Sequence, residues 1–101
     1  MWLVAMFDLP VDDTSARRRY MRFRKLLLRE GFVMVQLSVY ARFCRSEECS
    51  AAARRRIEDA VPERGEVRVV SVTDHQYSKM TVLRGKKRRR PDEAPHQLLL
   101  F

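Results

Sequence analysis

Trp2-Leu3-Val4-Ala5-Met6-Phe7-Asp8-Leu9-Pro10 decides how the chain is read: six apolar residues, one carboxylate, then Leu9 and a proline that stops the run. A short apolar stretch closed by a proline turn predicts a strand, and the lack of polar alternation before Asp8 predicts one buried on both faces. Next, Asp12-Asp13-Thr14-Ser15 supplies side-chain oxygens where a helix needs its first N–H groups capped, and Gly31 stands where a helix ends. The interval predicts a helix over residues 14–30. At about 100° per residue, Ala16, Tyr20, Phe23 and Leu27 share one arc, while Arg18, Arg22, Lys25 and Arg29 share the opposite one. One face enters the core and the other presents a row of cations.

Downstream, residues 32–43 are rich in β-branched and aromatic side chains, and polar Gln36 and Ser38 interrupt them. This predicts two strands, or one long bent strand, with the irregularity at Gln36-Leu37-Ser38. Ser46-Glu47-Glu48 offers a cap and first-turn acids for a second helix running to about Ala60, with Ala53, Ile57 and Ala60 as its inner stripe, ended by Pro62 and Gly65. Residues 67–73 read as a further strand, and Met80-Thr81-Val82-Leu83 as another after the link Asp74-His75-Gln76. The expected fold is α+β: a ferredoxin-like βαββαβ unit with an extra C-terminal strand or tail, its helices covering one face of an antiparallel sheet. Apolar residues fall on both faces of the 67–73 strand, so the uncovered face is expected to meet a second copy in a homodimer. Past Gly85 the composition changes to the cation block 86–90, a Pro-containing linker and the apolar end Leu98-Leu99-Leu100-Phe101. Residues 1–85 are therefore expected to form the domain, and 86–101 a basic linker with an apolar C-terminal segment.

A chain of 101 residues with 46% hydrophobic content suffices for one core. No apolar run approaches the ~20 residues of a membrane span, and the N-terminus lacks signal-peptide features, so a cytoplasmic location is expected. Cys44 and Cys49 are expected to stay reduced as packing residues; His75 and His96 are too isolated to complete a zinc site with them. His75 belongs to a link expected to face solvent. No P-loop, dinucleotide fingerprint or nucleophile elbow is present in the sequence, which argues against ATP use.

The formal charge of +8 favours polyanionic partners. A solvated helix face is the ordinary explanation for a charge run, but the first helix holds seven cations and, at its end, the single acid Glu30, so pairing within the helix does not account for the row. Arg18 to Arg29 spans about 16 Å at ~1.5 Å per residue, enough to meet several phosphates of a duplex. Arg17, Arg18, Arg19, Arg22, Lys25 and Arg29 are the expected nucleic-acid-binding residues, reading backbone rather than bases. For Asp8, local hydrogen bonding at the strand end is the ordinary role. In a homodimer with its two-fold axis near that end, however, two Asp8 carboxylates make a hard-cation site suited to Mg²⁺ or Mn²⁺, one ion per dimer, and Asp8 becomes the candidate metal ligand and catalytic residue.

Phe7-Asp8-Leu9-Pro10, Arg19-Tyr20-x-x-Phe23-Arg24-Lys25-x-Leu27, Gly31-Phe32-x-Met34-x-Gln36-x-Ser38-Val39-Tyr40 and Val72-Thr73-Asp74-x-Gln76-Tyr77 together make residues 1 to about 85 resemble the family of CRISPR-associated protein two, the small dimeric subunit of spacer acquisition. The style is that of bacterial systems with a large single-protein effector. The resemblance implies a ferredoxin-like homodimer that bridges two dimers of the CRISPR-associated integrase and holds a double-stranded DNA prespacer. It also implies a metal-dependent endonuclease on RNA or DNA, with the aspartate at the Asp8 position holding Mg²⁺ at the dimer axis. A protein that must keep a spacer intact gains little by cutting it, so the bridging role is the first expectation and Asp8-dependent cleavage the second. A plain interaction protein whose charge only solubilises it is the third. Whether the chain is an enzyme stays open at this stage.

Overall fold

The computed structural model describes residues 1–85; the expectations for the cation block, His96 and the apolar terminus lie outside the described residues. Seven elements follow one another: β1 (Trp2–Asp8), α1 (Thr14–Arg29), β2 (Val33–Gln36), β3 (Val39–Phe43), α2 (Glu47–Ala60), β4 (Glu66–Val72) and α3 (Asp74–Ser78). The strands form one antiparallel sheet in the order β2-β3-β1-β4. This is the expected α+β, ferredoxin-like arrangement.

Caps fix where the helices begin. The Asp13 carboxylate accepts from the Ala16 N–H at 2.7 Å and starts α1, while the Ser46 hydroxyl accepts from the Cys49 N–H at 3.1 Å and starts α2. Ala16, Phe23 and Leu27 are buried along α1, and Tyr20 is only partly so. Ala53 and Ile57 are buried along α2, with Ala60 packed against them. Under the helices lie Leu3, Ala5 and Phe7 of β1 and Tyr40 of β3. Phe7 anchors the aromatic centre, edge-on to Phe23 at 5.2 Å and tilted on Tyr40 at 5.6 Å. Arg24 donates to the Tyr40 hydroxyl at 2.7 Å and satisfies the polar end of that buried ring.

The bend expected at Gln36-Leu37-Ser38 is a turn between two strands, with a register shift between Met34 and Gln36. Ser38 takes φ +65°, and its carbonyl accepts from the Phe7 N–H at 3.0 Å, so the turn is tied to β1 beside Asp8.

Two expectations need correction. First, β1 is buried on one face only: Leu3, Ala5 and Phe7 are enclosed, while Trp2, Val4, Met6 and Asp8 alternate onto the other side, where Met6 and Asp8 are exposed. The period of two was hidden because both sets are apolar. Second, no strand follows β4 among the described residues. The supposed link 74–76 belongs to α3, whose N-terminus is closed by a capping box between Thr73 and Gln76, and residues 79–85 take no regular form. Tyr77 of α3 stacks on Trp2 at 4.1 Å with the rings 8° from parallel, and the N-terminal amine meets Asp74 at 2.9 Å. The open sheet face is therefore partly roofed. A groove of about 360 Å³ separates Val4, Val39 and Ala41 from Tyr77, Met80 and Val82.

Candidate carboxylate site and cationic face

Asp8 ends β1 on the open face, opposite Glu66 of β4 in the strand register. Its side chain is exposed and, among the described residues, forms no hydrogen bond or ion pair. Glu66 is already engaged, accepting from Arg68 at 3.1 Å. Backbone packing sets where Asp8 stands. Gly65 has φ +105°, and a Cβ there would lie 2.6 Å from Leu9 Cδ2 and 2.9 Å from the Asp8 carbonyl oxygen. Only glycine allows the turn before β4 to close this tightly on the Asp8-Leu9 backbone. Arg64 continues the tie, reaching Asp12 at 3.3 Å and Asp13 at 4.0 Å. The backbone N–H of Asp12 and the Arg64 guanidinium hold the Asp12 carboxyl below its ordinary value.

Among the described residues no three His, Cys, Asp or Glu side chains gather as a metal site. Asp8 is thus an unpaired oxygen donor of the kind a hard cation takes, without two further such side chains gathered about it among the described residues. The donor type fits Mg²⁺ or Mn²⁺, and Mg²⁺ is commonly bound through one or two carboxylates with waters completing its shell.

Of the other expected site residues, Arg17, Arg18, Arg22, Lys25 and Arg29 are exposed along α1 and Arg19 is partly buried. Arg17 donates to the Val11 carbonyl at 3.2 Å; the remaining five form no ion pair among the described residues. The acid nearest the helix end, Glu30, is taken by Arg56 of α2 at 3.0 Å. Two shallow clefts follow the row. One of about 420 Å³ is lined by Thr14, Arg17, Arg18, Met21, Arg22 and Lys25, and another of about 270 Å³ includes Arg19, Arg22, Phe23 and Arg29. The structure gathers the six cations on one helix but leaves Asp8 on the opposite side of the sheet. His75 is exposed on α3, and among the described residues its ring forms no hydrogen bond or ion pair. The sequence marks Gly65 only as an end of the second helix and assigns Arg64 no part; their packing against the Asp8 loop is not legible there.

Fold and site define a basic ferredoxin-like domain with an unpaired carboxylate on its open sheet face. The family model for CRISPR associated protein Cas2 matches residues 1–80, and the chain belongs to that family. Among similar proteins, one of Parvibaculum lavamentivorans, named CRISPR-associated endoribonuclease Cas2, is 48% identical over 101 residues covering the whole of both chains. One of the same name from Flavobacterium psychrophilum is 40% identical over all of this chain and 88% of its own. The crystal structure of Streptococcus pyogenes Cas2 at pH 6.5 superposes with a TM-score of 0.66 at 18% identity, over 82% of this chain and 99% of that one, a likeness of fold. No helix among the described residues is long and apolar enough to cross a membrane.

Proposed function

We propose that this chain is a divalent-metal-dependent endoribonuclease that works as a homodimer, with the Asp8 carboxylates of two copies holding one Mg²⁺ or Mn²⁺ between them. The observation that carries this reading is the exposed, unpartnered Asp8, held in place by Gly65 at the end of the open sheet face. The name borne by relatives at 40% and 48% identity moves the weight from bridging, the first expectation of the sequence, to cleavage. Asp8 supplies an oxygen donor, and a second copy supplies the other. A bound divalent ion contributes Lewis-acid polarisation of a phosphoryl oxygen and an activated water. Arg68, exposed on the same face and bonded to Glu66 at 3.1 Å, is a guanidinium of the kind that binds phosphate. The test is cleavage of single-stranded RNA with and without Mg²⁺. Asp8→Asn is expected to lose about a hundredfold or more of the metal-dependent rate, and undiminished cleavage would reject the reading.

The seven cations of α1, none with an acidic partner among the described residues, support a second reading: a duplex-holding subunit that bridges dimers of the CRISPR-associated integrase around prespacer DNA. Asp8 and the row occupy opposite sides of the sheet, so one molecule has room for both activities. Recovery of the integrase on the immobilised protein, together with binding of double-stranded DNA by Asp8→Asn, is the expected result; failure of both would remove the bridging role.

A further inference from the structure

We infer that the exposed ring of Phe43, backed by Trp2 and Tyr77, is a stacking platform for an unpaired nucleobase of a single-stranded RNA. The choice of RNA rests on the endoribonuclease reading above, whereas the platform rests on geometry. Trp2 and Phe43 are register partners on the two central strands, β1 and β3, and their rings meet edge-on at 5.7 Å on the open sheet face. Tyr77 of α3 lies flat on Trp2 at 4.1 Å, so Trp2 is already covered. Phe43 is not, and stays 45% exposed. The reason is strand length: β2 begins at Val33, opposite Ala41, so no β2 residue stands beside Phe43 and that flank of the ring has no cross-strand neighbour. Packing against Trp2 asks only for an apolar side chain here, which leucine or valine would supply; an aromatic ring left open adds a π face.

Aromatic side chains on the open face of a four-stranded sheet are a recurrent means of holding bases in RNA-binding domains. Fold alone assigns no function, so the charge around the ring carries the second half of the argument. Arg45, two residues past Phe43, and Lys79, two residues past Tyr77, are exposed and form no ion pair among the described residues. Asp74, the acid of α3, is taken by the N-terminal amine at 2.9 Å, and Glu47 and Glu48 belong to the first turn of α2, where they complement the helix N-terminus. A stacked base brings phosphates on either side of it, and the unpaired cations suit them. Bases of a duplex are already paired and stacked on one another, so an open ring selects single strands. The platform and Asp8 stand at opposite ends of β1, about 20 Å apart at ~3.3 Å per residue. A strand lying along β1 from one to the other spans roughly six nucleotides at the ~3.4 Å rise of a stacked strand.

The test is binding of a labelled oligouridylate of about ten nucleotides, longer than that span, to the full chain carrying Asp8→Asn without divalent metal, so that nothing is cut. Anisotropy of the label gives the affinity. Phe43→Ala and Phe43→Leu are each expected to weaken binding about tenfold, and Phe43→Tyr to stay within about twofold of the parent. Leucine and tyrosine keep the apolar bulk, so the comparison stands even where Phe43→Ala does not fold. Trp2, the one tryptophan of the chain, reports the place: its emission is expected to fall as the RNA saturates the parent and to stay level in Phe43→Leu. Phe43→Leu that binds as tightly as the parent, Trp2 emission that does not move, or an RNA duplex that quenches Trp2 as strongly as the single strand would overturn the platform. The outcome is separable from that of the cleavage reading. A quench that needs Phe43 in a protein that cuts nothing keeps the platform and removes the nuclease, and Asp8-dependent cleavage without the quench does the reverse.

Discussion

At the scale of single residues, the proposed function and the stability of the fold meet at the contact between Asp8 and Gly65. Asp8 offers the carboxylate, but Gly65 sets its height, because the left-handed backbone at Gly65 lies against the Asp8 carbonyl and the Leu9 side chain. Replacing Gly65 with Ala adds a Cβ 2.9 Å from backbone that cannot swing aside, on top of the ~1 kcal/mol or more that a positive φ costs a residue bearing a Cβ. We expect Gly65→Ala to lower the urea midpoint and the metal-dependent cleavage rate together, whereas Asp8→Asn lowers the rate alone; calorimetry beside an RNA-cleavage assay separates the two. Cys44 gives a pH prediction. Its thiol is raised above the ordinary 9.0, so the folded chain keeps that proton to higher pH than the unfolded chain does. The contribution is whole below the unfolded value and is lost as pH climbs through the folded one. Denaturation in urea at a series of pH values above 9.0 should show stability falling, with a shallower slope in Cys44→Ala.

At the scale of elements, α1 divides its duties between two faces, and each can be altered separately. On the outer face, Arg18, Arg22, Lys25 and Arg29 have no acidic partners among the described residues, so their removal costs little folding energy. If each meets one phosphate, replacing all four by Ala flattens the log–log salt dependence of duplex affinity by up to about 3.6, at 0.9 per contact. An unchanged slope in titrations at several salt concentrations rejects this face as the footprint. Much of the architecture was legible because local signals agreed. The apolar run 2–8 is β1 to the residue, and Asp13 caps the helix that the cation row and the inner arc had marked. Two kinds of feature were hidden. Trp2, Val4 and Met6 are apolar on the open face, so hydropathy alone could not show that β1 is covered on one side only. And α3, five residues long, is too short to display periodicity, its one sign being Thr73-x-x-Gln76. Residues 80–83 alternate like a strand, but a strand exists only where a neighbouring backbone takes its hydrogen bonds, and β4 ends before them. Asp8 stood out as a charge ending an apolar run; its support from Gly65 and Arg64 did not, because that contact joins segments far apart in the chain.

For the whole molecule, the geometry turns on how the open sheet face is covered. α3 and residues 80–83 roof the part near Trp2 and Ala41, leaving Met6, Asp8, Arg68 and Val70 toward solvent at the other end of β1 and β4. An apolar patch that ends in an unpaired carboxylate suits a symmetric partner, since one two-fold operation covers the patch and doubles the ligand count together. Val70 is 44% exposed in the single protomer, so a charge there should leave the protomer folded while placing a desolvated carboxylate in any interface on this face. Val70→Asp is therefore expected to keep the circular dichroism of the parent, to run as a monomer by light scattering where the parent runs as a dimer, and to lose Mg²⁺-dependent RNA cleavage in the same concentration range. A Val70→Asp protein that stays dimeric would place the interface elsewhere, and one that is monomeric yet still cleaves would show that Asp8 acts without its twin.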